Sequence, residues 1–146
     1  MRVFVYFNLH KHLWSVKALE GPEKGRVIAH RDVLTLVNPT PKVSEKGRQR
    51  VLQERRKNVH AGVVGEWEPD WQGIEGIDLT EACAEVTYNP YKYKTFVYKG
   101  QPNWEWEGGK MALLDASARS VVSFGDDFLQ VAVNNRHSGL LYDVWE

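Results

Sequence analysis

The chain predicts an α+β fold, mostly antiparallel β-sheet, with one basic helix over about residues 44–57. Three observations lead there. Short β-branched and aromatic runs, punctuated by Gly, Pro and Asn, recur from end to end, and roughly eight or nine of them have strand character. One stretch alone carries convincing helix signals. The length of 146 residues suits a single domain spanning 1–146, with room for a real core but not for two independent ones.

Residues 3–7, VFVYF, make the first strand. Residues 8–12 supply a polar connection, after which Leu13, Ser15, Lys17 and Leu19 alternate with Trp14, Val16 and Ala18, so the two segments read as a β-hairpin. Gly21, Pro22 and Gly25 make the next turn, and residues 26–30 and 33–37 give one or two further strands. Asn38, Pro39, Thr40 and Pro41 are expected to close this block and deliver the chain to the helix.

That helix lies in KVSEKGRQRVLQERRKNVH, residues 42–60, where seven Lys and Arg stand against two Glu for a local balance of +5. Ser44 is a good N-cap, Glu45 suits the positive end of the dipole, and the basic residues are expected to crowd the last turn. Lys46, Arg50, Gln53 and Lys57 recur on one face, with Val43, Gly47 and Val51 forming a narrow second stripe. The run reads either as a solvated charged face or as a helix across a sheet that offers cations to something anionic. Residues 58–65, NVHAGVVG, follow as a strand.

The segment 66–81 holds six acidic residues and no basic one, with Pro69, Gly73 and Gly76 arguing for an irregular loop. It would cover the basic helix, contact a neighbouring subunit, or simply be solvated. Residues 84–88 and 95–98 read as strands. Tyr88, Tyr91, Tyr93, Phe96 and Tyr98 interleave there with Lys92, Lys94 and Lys99, a pattern that suits either base stacking with phosphate pairing or the covering of one sheet face. Residues 103–109 read as a turn-rich link with Trp104 and Trp106 on one side. Apolar runs at 111–115, 120–124 and 128–134, then a closing strand or subunit contact at 140–145, complete the chain.

The strings VFVYFNLHKHLWSVKALEGPEKGRVIAH, KVSEKGRQRVLQERRKNVHAGVVG and VTYNPYKYKTFV resemble a family of small tailed-bacteriophage accessory proteins. The resemblance covers most of residues 1–65 and about a dozen residues near 86–97. It implies a phage origin, expression inside a bacterial host and a non-structural role, and it brings no catalytic residue with it.

Composition narrows the chemistry. The formal net charge is zero, but residues 1–60 hold 13 of the 19 Lys and Arg against 5 acidic residues, and residues 61–146 carry the opposite balance. A basic N-terminal half (1–65) therefore precedes an acidic, aromatic-rich half (66–146). The halves attract one another within the fold or in a homo-oligomer, or the basic half faces an anionic ligand. Zero total charge argues against broad duplex binding, which favours a basic domain. No apolar run approaches the ~20 residues of a membrane span, so the host cytoplasm is expected and no membrane partner. Cys83 is the single cysteine, which excludes an internal disulfide. Walker, GxGxxG, HExxH and GxSxG patterns are missing, so no cofactor and no metal are expected.

The best reading is a binding site for an anionic nucleotide, in which Arg26, Lys42, Lys46, Arg48, Arg50, Arg56 and Lys57 hold phosphates and Trp14, Tyr91 or Tyr93 stacks a base. For a phage accessory protein the expected ligand is a host cyclic-nucleotide immune signal, bound as an anti-defence measure. The alternative is a metal-independent phosphodiesterase. His10, His30 and His60 would converge with Arg26, Lys42 and Arg56, one imidazole removing a proton, another protonating the leaving oxygen. A third reading is an inhibitor that binds a host protein.

Overall fold

The computed structural model describes residues 1–55, 59–68, 83–118 and 120–124. Among these residues ten strands form one antiparallel sheet. They are β1 (Arg2–Asn8), β2 (Leu13–Ala18), β3 (Val27–Arg31), β4 (Val33–Val43), β5 (Ala61–Glu66), β6 (Cys83–Thr87), β7 (Val97–Tyr98), β8 (Gln101–Glu105), β9 (Met111–Asp115) and β10 (Ser120–Phe124). The one helix among the described residues, α1 (Glu45–Glu54), interrupts the strands between β4 and β5. The spatial order is β3-β2-β1-β5-β4-β9-β10-β6-β7-β8.

Period-2 alternation decides the two faces. Val3, Val5 and Phe7 of β1 lie opposite Ala18, Val16 and Trp14 of β2, and all six are buried on the core side. Val63 of β5, Leu34 and Leu36 of β4, Leu114 of β9, Val121 of β10 and Val86 of β6 continue the same layer. β5 and β6 are separated in the sheet by β4, β9 and β10, yet His60, just before β5, meets Tyr88, just after β6. The sheet therefore curls around its core.

β4 differs from the expectation. Residues 38–41 do not close a block; they remain within an eleven-residue strand. The register steps from Val37 opposite Glu66 to Thr40 opposite Val64, three residues against two, so one extra residue is accommodated as a bulge. Asn38 supplies it with φ 51°, a left-handed conformation that Asn tolerates better than most residues. The bulge also explains how Pro39 fits, since proline enters sheets at such irregularities. Residues 33–37 pair with β9 while residues 40–43 pair with β5, so this strand joins the N-terminal strands to the C-terminal ones.

The helix is also shorter than expected. Ser44 is the N-cap, its hydroxyl accepting from the Gly47 amide at 3.2 Å, but the helix stops at Glu54 and Arg55 turns left-handed at φ 52°. No basic residue lies in its last turn. Its ten residues carry Lys46, Arg48 and Arg50 against Glu45 and Glu54, so most of the local +5 belongs to flanking residues. Val51 is buried, and Gly47 lies so close to β5 that an added Cβ would meet the His60 Cβ at 2.7 Å.

Two smaller readings change as well. Residues 101–105 form β8 rather than a link, and Trp104 is exposed where Trp106 is buried, its indole donating to Ser123 Oγ at 3.1 Å. Glu66 ends β5 and Trp67 is buried, while the rest of the acidic segment from residue 69, and the runs at 128–134 and 140–145, lie outside the described residues.

Candidate functional site

The outward-facing residues of β1 are aromatic. In VFVYF the core takes Val3, Val5 and Phe7, which leaves Phe4 and Tyr6 on the opposite face with ring centroids 6.0 Å apart, edge to face. Register sets their neighbours. Phe4 lies between Lys17 of β2 and Val64 of β5, and Tyr6 lies beside Ser15. Gly62 of β5 pairs with Lys42 of β4, and continuing the β1–β5 register brings Gly62 next to Tyr6.

Gly62 has no side chain because there is no space for one. An added Cβ would strike the Val5 carbonyl oxygen and stand 2.6 Å from the Phe4 ring. The Phe4 ring therefore forms a low floor over bare backbone, with the Tyr6 ring nearly perpendicular beside it.

Above this floor is an open groove of about 390 Å³. At one end it meets Lys17, Leu19 and Val27 around the β2–β3 hairpin; at the other it meets Lys42, Ser44, Val59 and His60 at the entry to α1 and β5. Val27 and Val59 are 43% and 52% exposed, unusually open for branched apolar residues. An aromatic floor, apolar rims and two lysines from different strands suit an anionic ligand that carries a flat ring.

His60 closes the deep side. It is 4% exposed, and its Nε2 lies 2.9 Å from the Tyr88 hydroxyl. Burial raises the Tyr88 phenol above its ordinary range, only partly opposed by the Arg48 charge. Nearby, the Ser44 amide donates to the His60 carbonyl at 2.7 Å, tying the helix start to the start of β5.

The other predicted residues are distributed elsewhere. His10 is exposed in the β1–β2 turn, where its amide donates to Asn8 Oδ1 at 3.0 Å. His30 Nδ1 lies 3.0 Å from Ser15 Oγ. The three imidazoles thus serve three local structures, and of this trio the groove takes in His60 alone. Trp14 is 1% exposed and packs edge to face on Phe7 at 5.3 Å, so its indole belongs to the core rather than to an open stacking surface. Arg26 is exposed beside Glu23, with the charged groups 3.7 Å apart.

Arg48 is buried: its Nε donates to the Tyr93 carbonyl at 3.1 Å and its guanidinium pairs with Glu45 at 3.2 Å. The Gln49 amide also donates to Glu45 at 2.8 Å, and these contacts hold the Glu45 carboxyl below its usual range. Lys46 and Arg50 lie on the exposed face of α1 around a shallow depression that also contains Glu45 and Glu54 and shares no residue with the groove. Tyr91 is exposed, while Tyr93 is half-buried against the core. Arg56 and Lys57 lie outside the described residues.

Of the predicted set, the groove gathers Lys42 and His60, and it adds Phe4, Tyr6 and Lys17. The missed signal was the alternation within the first strand, which places two aromatics on the face away from the core. Among the described residues no three His, Cys, Asp or Glu side chains cluster as a metal site would require, and no helix is long and apolar enough to cross a membrane.

The chain matches the family model described as Mycobacterium phage L5 gene 82 protein over residues 1–122. The Gene 82 protein of Mycobacterium phage L5 is 42% identical over 104 residues, covering 67% of this chain and 78% of that protein. No solved structure matches. Every groove residue falls inside the matched segment.

Proposed function

Starting from the premise that this chain belongs to the Mycobacterium phage L5 gene 82 protein family and is a bacteriophage protein, we propose that it binds a small anionic nucleotide inside the infected cell. The observation that carries the proposal is the placement of Phe4 and Tyr6 side by side between Lys17 and Lys42 in one groove. A base stacks on the aromatic floor, phosphate pairs with the ammonium groups, and Val27 and Val59 shield the sugar. The helix face is a poorer candidate, since Glu45 and Glu54 stand beside Lys46 and Arg50. For a phage protein in the host cytoplasm, the ligand that best suits this role is a cyclic-nucleotide immune signal, held so that its receptor is not triggered. Binding is favoured over phosphodiester cleavage because the one histidine at the groove has its Nε2 engaged by Tyr88.

The test is to mix the purified protein with a panel of cyclic di- and trinucleotides and short RNA, then remove unbound compound, denature the protein and chromatograph what is released. Intact nucleotide recovered from the wild type and from Arg50→Ala, but lost from Lys17→Ala and Lys42→Ala, is the expected result. A converted product formed by catalytic amounts of protein would overturn simple binding, and recovery of nothing from the wild type would overturn the nucleotide reading.

A further inference from the structure

The two lysines flank the rings from opposite sides, so a phosphate shared between them would have to lie over the rings. Lys17 is on β2 and Lys42 on β4, with β1 and β5 between them. Three strand spacings and the two-residue offset from the Phe4 row to the Tyr6 row separate their Cα atoms by roughly 15 Å. Both ammonium groups could meet only by reaching inward over Phe4 and Tyr6. An anion bound there would occupy the place where a base stacks. Phosphates are better held at the two ends, with the flat ring between them.

We infer that the groove selects a ligand with two separated phosphates flanking a nucleoside, as a dinucleotide has, over a mononucleotide with a single phosphate. Lys17 takes one phosphate at the hairpin end and Lys42 takes the other beside Ser44. Gly62 is the specificity-determining residue of the floor, because any side chain there would lift Phe4 out of the plane on which the base lies. The apolar rims then contact the sugars at either end. This inference rests on the nucleotide-binding reading above and narrows it to a ligand class, shared by linear and cyclic dinucleotides.

Calorimetric titration of the full chain with AMP, 5′-phosphorylated linear diadenylate (pApA) and cyclic diadenylate tests it, using wild type, Lys17→Ala and Lys42→Ala. Both lysines lie on the outward face of the sheet, and thermal unfolding verifies that the variants fold. At least one diadenylate is expected to bind the wild type about tenfold or more tighter than AMP, as a second charge-assisted contact allows. Each single substitution is expected to lower that diadenylate's affinity by about tenfold, and AMP is expected to respond to at most one of them. Preference for the cyclic or the linear form then identifies the source of the two phosphates. AMP binding as tightly as both diadenylates, or responding equally to both substitutions, would overturn the two-phosphate inference while leaving nucleotide binding in place. Failure of all three compounds to bind would remove the underlying reading itself.

Discussion

The His60 imidazole and the Tyr88 hydroxyl meet at 2.9 Å in the interior, although they belong to opposite parts of the sheet. The contact joins the strand that backs the groove to the far side of the curled sheet. Tyr88 also stacks on Phe96 at 5.1 Å, so the phenol is held by its ring as well as by its oxygen. Tyr88→Phe keeps the ring and removes the hydroxyl partner of Nε2. A destabilisation of about 1–3 kcal/mol is expected from leaving a buried imidazole nitrogen without it, measured by urea unfolding.

The same phenol makes stability depend on alkaline pH. Burial raises its folded value above that of the unfolded chain, so its contribution is intact below the ordinary tyrosine value of ~10 and is lost as pH rises from there toward the folded value. Unfolding free energies measured on both sides of that value should fall with rising pH in the wild type and fall less steeply in Tyr88→Phe. Ultraviolet titration should show one tyrosine resisting ionisation until the protein unfolds.

Two glycines are held by contact rather than by backbone angle. At Gly62 a methyl group would strike the Val5 carbonyl oxygen, which cannot rotate away, so Gly62→Ala should cost about 1–3 kcal/mol. At Gly47 the clash is with the His60 Cβ, and alanine returns ~1 kcal/mol of helix propensity, so Gly47→Ala should destabilise less than Gly62→Ala. Thermal unfolding of the two variants side by side checks the ranking.

Arg48 and Arg50 look alike in sequence and should behave oppositely. Arg48→Ala removes the tie from α1 to the Tyr93 carbonyl and the pairing with Glu45, for an expected loss of about 1–3 kcal/mol. Arg50 is exposed, and Arg50→Ala should change stability by less than ~0.5 kcal/mol. Denaturant midpoints decide between them. Equal effects would mean that the helix is not anchored through Arg48.

Much of the fold was legible because its signals are local. The strand at residues 3–7, its hairpin with residues 13–19 and the Ser44 cap each depend on residues a few positions apart. The continuation of β4 through Asn38–Pro39 was not legible, because two prolines in four residues read as a turn unless a bulge and a second pairing partner are known. The early end of α1 was missed for a related reason. Charge density suggested a longer helix, while its packed stripe, Gly47 and Val51, is short.

The sequence by itself determined the class of the protein: an antiparallel sheet with one helix, a charge split between its halves, and wording that marks a phage family. Which side chains share a surface was decided only by the tertiary structure. Lys17 and Lys42 are 25 positions apart in the chain and become the two ends of one groove because β1 and β5 insert between their strands. Trp14 and Arg48, which sequence reads as ligand-binding, and His60, which it reads as catalytic, are all three buried in the folded chain. Burial and cross-strand register are properties of the assembled sheet, and no short stretch of residues contains them.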